Sequence, residues 1–159
     1  MRKQQPLTTY DAVKEKALRL LEFRSHSEKE LRDKLSRSGA SEENIELTLD
    51  FCRRYGFVND AAFAKRKAQD LFNLKKLGTR RIQNELKMLG IPEEYITEAL
   101  YELDSEKEQQ TLLDLAQKKL RGDFTDKNKD KCIRFLIYRG YDIYAIKEAI
   151  RTLEALNEI

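Results

Sequence analysis

The stretch Ser27–Gly39, SEKELRDKLSRSG, carries a helix start, an inward face and a helix stop within thirteen residues. Ser27 followed by Glu30 is a capping box: the serine oxygen accepts a free backbone N–H and the glutamate reaches back to the N–H of the cap. Leu31 and Leu35 stand four residues apart and therefore share one helix face. Gly39 ends the helix, because glycine reaches the left-handed conformation of a helix terminus without a Cβ penalty.

The same pattern recurs twice downstream. Gly39, Gly90 and Gly140 are separated by 51 and 50 residues. Four residues before each stands Leu35, Leu86 or Leu136, and eight before stands Leu31, Ile82 or Cys132. Six after come Ile45, Ile96 and Ile146; nine after, Thr48, Ala99 and Ala149; ten after, Leu49, Leu100 and Ile150. One buried face thus precedes each glycine and another follows it. An earlier helix leads each pair, marked by Ala17 with Leu21, Ala68 with Phe72 and Ala116 with Leu120. One helical hairpin would show such spacing by itself. A register held through the glycine three times points to an internal repeat.

The expected fold is therefore all-α: three tandem three-helix bundles spanning 10–56, 57–104 and 105–159, after a loose tail over 1–9. The junctions fall near Phe57 and near Asp104. Phe57 and Val58 are expected to dock on the core and Asn59 to cap the next helix. Around Leu103-Asp104 the chain has no Gly or Pro, so either a kink or a nearly continuous helix fits. Thr79 is expected as an N-cap after Gly78. Charged residues make up 37% of the chain, against six Gly and two Pro, a helix-forming composition.

Charge is unevenly spread. The net charge is only +3. Yet Lys65, Arg66, Lys67, Lys75, Lys76, Arg80, Arg81 and Lys87 are opposed over their span by Asp70 and Glu85 alone. Ile91–Asp104 carries five acids and no base. A second basic stretch, Lys118–Arg139, includes Lys127, Lys129, Lys131, Arg134 and Arg139. A lopsided solvated surface would give such runs, as would a surface for an acidic partner. The helix from Thr79 offers Arg80, Arg81, Gln83, Asn84 and Lys87, side-chain types that can also read base edges.

Catalytic chemistry finds little to build on. The one histidine, His26, reads as a loop residue between Ser25 and Ser27, which are placed to make turns and caps. There is no phosphate-cradling glycine loop. One His and two Cys, Cys52 and Cys132, 80 residues apart, cannot make a usual zinc site. Both cysteines occupy apolar helix positions and are expected as buried free thiols. No catalytic residue, metal or cofactor is expected. Without a signal-peptide pattern or a run of about 18 apolar residues, a cytoplasmic address and no membrane contact are expected.

The residues in order also resemble a known family. Arg24-Ser25-His26-Ser27 with Glu30-Leu31 and Leu35, then Tyr55-Gly56-Phe57-Val58-Asn59-Asp60 with Phe63-Ala64, then Arg81-Ile82, Glu85-Leu86 and Gly90-Ile91, and finally Phe135-Leu136 with Arg139-Gly140-Tyr141, are similar to the RecX family, regulators of the RecA recombinase. Where the family often has Gly-Tyr-Gly, this chain has Lys76-Leu77-Gly78, and its segment Lys119–Asp130 is less typical of the family. The resemblance implies three tandem units in a curved, elongated body. It also implies a non-enzymatic monomer that binds the RecA filament on DNA and modulates, mainly inhibits, recombinase and ATPase activity. The thirteen basic residues from Lys65 to Lys87 and from Lys127 to Arg139 named above would then face the filament or its DNA. The alternative is a helical nucleic-acid-binding protein that acts without RecA.

Overall fold

A computed structural model describes residues 6–159. Among the described residues there are nine α-helices and no strand: α1 (Tyr10–Phe23), α2 (Glu28–Arg37), α3 (Glu42–Arg54), α4 (Asp60–Asn73), α5 (Thr79–Met88), α6 (Glu93–Tyr101), α7 (Ser105–Leu120), α8 (Asp126–Tyr138) and α9 (Ile143–Asn157). They run as three groups of three along the chain. By packing they gather into two compact bodies. One holds residues 6–64 with Lys87–Ile96, the other Lys65–Leu86 with Thr97–Ile159, so that α4, α5 and α6 contribute segments to each.

The repeated glycine register has a backbone cause. Gly39, Gly90 and Gly140 have φ of 91°, 77° and 98°. After α2, the Gly39 N–H donates to the Ser36 carbonyl (3.0 Å) and the Ala40 N–H to the Leu35 carbonyl (3.1 Å). After α8, the Gly140 N–H donates to the Ile137 carbonyl (2.9 Å) and the Tyr141 N–H to the Leu136 carbonyl (3.1 Å). This paired pattern satisfies carbonyls that a helix end leaves bare. Leu35 and Leu136 thus fill the core with their side chains and close their helices with their carbonyls.

In the first body, Val13, Ala17, Leu31, Leu35, Ile45, Leu49, Cys52 and Val58 form the core. Leu7, assigned to the tail from the sequence, is buried with them, and Thr9 caps α1 by accepting the Ala12 N–H at 3.2 Å. Residues 1–5 of that tail lie outside the described residues. The capping box of α2 forms as expected. Ser27 Oγ also donates to the Leu89 carbonyl at 2.6 Å, and Asp60 accepts the Glu28 N–H at 2.9 Å. Burial raises the Asp60 carboxyl above its ordinary range. Asn59 caps α4, accepting the Ala62 N–H at 3.1 Å. Val58 docks on the core, whereas Phe57 is half exposed, its ring 6.1 Å from that of Phe51 and 6.4 Å from that of Tyr55.

His26 lies in the loop before α2, as its place in the sequence indicates, but it is buried there. It is only 2% exposed. Its Nδ1 lies 2.9 Å from the Arg24 carbonyl and its Nε2 2.8 Å from Lys34 Nζ. A carbonyl only accepts and an ammonium only donates, so the ring is neutral with its proton on Nδ1.

In the second body, Leu112, Ala116, Leu120, Cys132, Leu136, Tyr141, Ile146, Ala149 and Ile150 pack α7, α8 and α9 together. The junction before α7 is a break. Asp104 ends the acidic run by capping α7, accepting the Glu106 and Lys107 N–H groups. Thr79 does not cap α5. That helix opens from Gly78, whose carbonyl accepts the Ile82 N–H at 3.1 Å. The Thr79 hydroxyl instead donates to Glu108 at 2.7 Å. Cys52 and Cys132 are buried free thiols. Of the positions read as inward from spacing, Leu21 and Leu100 are only half-buried.

Candidate interaction surface

The sequence of α8 divides its surface in two. Cys132 and Leu136, four apart, point into the core. Lys127, Lys131, Arg134 and Tyr138 follow the spacing of the opposite face, and all four are exposed. Thr125 starts the helix, accepting the Asn128 N–H. Lys129 leaves this row to pair with Glu154 on α9 at 2.7 Å, which raises the lysine above its ordinary range.

The other basic stretch is used differently. Lys65 pairs with Glu102 at 3.1 Å, while Arg66 and Lys67 lie along α4 beside it, the former exposed and the latter half-buried. Lys75 and Lys76 expose their side chains in the α4–α5 connection, but their carbonyls are fixed. The Tyr141 hydroxyl donates to the Lys76 carbonyl at 2.7 Å, and the Arg139 guanidinium donates to the Lys75 carbonyl. Burial pushes the Tyr141 hydroxyl up to about 12, so it remains a donor. Lys76 holds φ of 55°, a conformation that costs a residue with a Cβ about 1 kcal/mol or more.

The clamp continues across the α8–α9 turn. The Gly78 N–H donates to the Arg139 carbonyl (2.8 Å) and the Arg80 N–H to the Gly140 carbonyl (3.1 Å). Arg80 pairs with Asp142 at 2.8 Å. Arg81 donates to Glu85 at 3.0 Å and to the Tyr138 carbonyl at 3.1 Å, and its guanidinium lies 4.8 Å from the Tyr138 ring centre. Arg139 lies 5.8 Å from the Phe135 ring centre. Arg80, Arg81 and Arg139, read from the sequence as partner-facing cations, therefore also tie the α4–α5 connection to the α8–α9 turn. Lys87 is exposed and belongs to the first body, whereas the other twelve belong to the second.

Sequence reasoning missed Gly78, Gly140 and Tyr141 as partners. Lys76 and Tyr141 stand 65 residues apart, and neither has a local pattern that names the other. Ser27, read from the sequence as a cap, has its oxygen engaged by the Leu89 carbonyl and the Glu30 N–H. Among the described residues, no group of three or more His, Cys, Asp or Glu converges as metal ligands would, and no helix is long and apolar enough to cross a membrane.

Comparison with known proteins matches the whole helical array. Family models described as the first, second and third three-helix domains of RecX match residues 14–52, 59–100 and 106–150. The chain is 35% identical to the regulatory protein RecX of Clostridium botulinum over 159 residues, covering 95% of this chain and 73% of that one. It is 37% identical to the regulatory protein RecX of Clostridioides difficile over 152 residues, covering 94% and 71%. A crystal structure of RecX from Lactobacillus salivarius superposes with a TM-score of 0.81 at 21% identity, covering 92% of this chain and 97% of that one.

Proposed function

The chain belongs to the RecX family of regulatory proteins, and on that premise we propose that it binds the RecA recombinase filament on DNA and mainly inhibits its strand-exchange and ATPase activities. The observation that carries this reading is the ordered match of all three three-helix domains across the chain. The exposed cations of α8 supply chemistry suited to an acidic, DNA-bearing target.

A filament presents one subunit again and again. Several helical units on one chain can engage neighbouring subunits, and their linkage raises avidity without any new kind of contact. A regulator that binds one geometry of adjacent subunits better than the others draws the filament toward it. ATP turnover, which needs the subunits to cycle, then slows. On this reading the protein is a cytoplasmic binding protein with no chemistry of its own.

The test is RecA strand exchange and single-strand-dependent ATP hydrolysis with and without the purified protein. Inhibition at sub-stoichiometric to near-equal ratios is expected. Unchanged RecA activity alongside tight DNA binding would favour a nucleic-acid-binding protein that acts without RecA. ATPase or nuclease activity that stays with the protein through rigorous purification would overturn the non-enzymatic reading.

A further inference from the structure

The basic stretch from Lys118 contains a feature that the rows of helix cations do not explain. Lys118, Lys119 and Arg121 at the end of α7 and Lys131 on α8 line one concavity of about 360 Å³, with Asp123 as its single acid. All four cations are exposed, and no carboxylate among the described residues is in salt-bridge contact with any of them. Asp123 is already committed. Its carboxylate accepts the Thr125 N–H at 3.0 Å, and the Thr125 backbone and hydroxyl, with a smaller part from the Lys131 charge, hold it below the usual carboxylate range.

The frame around the concavity is fixed. Asn128 Nδ2 donates to the Leu120 carbonyl at 2.9 Å and to the Asp123 carbonyl at 2.7 Å, lacing the loop to the start of α8. Lys119 Nζ sits 4.8 Å from the Phe135 ring centre, which orients its stem. Arg121 holds the left-handed conformation, φ 52° and ψ 37°, at the cap of α7.

Cations in the last turn of α7 also answer the helix dipole. That accounts for Lys118 and Lys119. It does not account for Lys131, which comes from another helix, or for an arginine where glycine would be easier. Lys131 is moreover a member of the exposed row Lys127, Lys131, Arg134, so the concavity opens onto a line of cations roughly 5–6 Å apart. A single small anion would use the concavity alone. A chain of successive phosphates would use the concavity and the row.

We propose that Lys118, Lys119, Arg121 and Lys131 form a phosphate-binding cup that takes the phosphodiester backbone of a nucleic acid, with the α8 row receiving the next phosphates. This rests on the reading that the protein works on a DNA-bearing target, and it adds a direct nucleic-acid site that needs no RecA.

The experiment omits RecA, so its failure is distinguishable from failure of filament regulation, which the strand-exchange assay reads separately. A fluorescein-labelled oligothymidylate is titrated with the full chain at several salt concentrations, for the wild type and for a Lys118→Gln, Arg121→Gly double variant. Glycine suits the left-handed cap, so the variant is expected to melt no lower than the wild type. It is expected to bind about tenfold more weakly at low salt, with a log–log salt slope shallower by about 1.4, the value for two lost contacts on a single strand. In parallel, the backbone amides of Gly122 and Asp123 in the wild type are expected to shift in NMR spectra when the oligonucleotide is added. Wild-type affinity and slope in the double variant, or amides that do not move, would overturn the proposal. So would displacement of the oligonucleotide by polyglutamate at equal charge concentration, which would assign the cup to an acidic peptide.

Discussion

Gly78 and Gly140 meet backbone to backbone: a Cβ placed on Gly78 would fall 2.4 Å from the carbonyl carbon and oxygen of Gly140. Both glycines lie in the clamp that joins the α4–α5 connection to the α8–α9 turn. No flexible side-chain end is available there to give way. Gly78→Ala is therefore expected to destabilise the protein by about 1–3 kcal/mol, the usual range for overpacking. Urea unfolding reads this directly. An unchanged midpoint would mean that the two backbones separate at no cost.

Leu86 carries the middle copy of the leucine register and is fully buried. Leu86→Ala should cost about 2–5 kcal/mol, since it removes buried surface and leaves a cavity. Leu74, 77% exposed in the connection between α4 and α5, supplies the contrast. Leu74→Ala should stay within about 0.5 kcal/mol of the wild type. Equal effects on the thermal midpoint would contradict the assigned inward face.

His26 makes stability depend on pH. Burial, followed by the charges of Arg24 and Lys34, lowers its pKa below the ordinary 6.5, outweighing the backbone hydrogen bond to Arg24 and the charge of Glu30. The unfolded chain then binds the proton more readily than the folded one. The contribution is fully present above about pH 6.5 and is lost as pH falls from there toward the lower folded value. Protonation would also set Nε2–H against Lys34 Nζ, donor facing donor. His26→Gln should flatten this part of the pH–stability curve, and an unaltered curve in denaturant titrations would remove His26 as its source.

Charge reversal on the exposed face of α8 tests the partner surface without touching the clamp. Lys127→Glu with Arg134→Glu should weaken filament binding about tenfold or more, with contacts worth on the order of 1 kcal/mol each. Glu93→Lys with Glu94→Lys should do far less. Reversing Arg80 and Arg81 is a poorer probe, because it also removes the bonds to Asp142, Glu85 and the Tyr138 carbonyl. Wild-type binding by the folded α8 variant, checked by circular dichroism, would leave that face as solvated surface.

The helices, their stops and their inward faces are legible from the residues in order. Those depend on interactions within a few residues: the Ser27–Glu30 box, the Leu–Gly pairs around Gly39, Gly90 and Gly140, and the four-residue spacing of Leu31 with Leu35. Local signals also overreached by small margins, as at Thr79, where a hydroxyl suited to a cap found Glu108 instead. What the charged residues do depends on contacts between packed helices. Arg80, Arg81, Lys127 and Arg134 look alike in sequence, since each is a cation on a polar helix face. The first two are tied to Asp142 and to the Tyr138 carbonyl, whereas the last two meet nothing but solvent among the described residues. A partner about 60 residues away leaves no trace in local spacing, because long-range contacts are set by how packed helices bring their ends together. His26 is a loop residue in both readings; its burial depends on the Arg24 carbonyl and Lys34 closing on its ring, which local spacing does not announce.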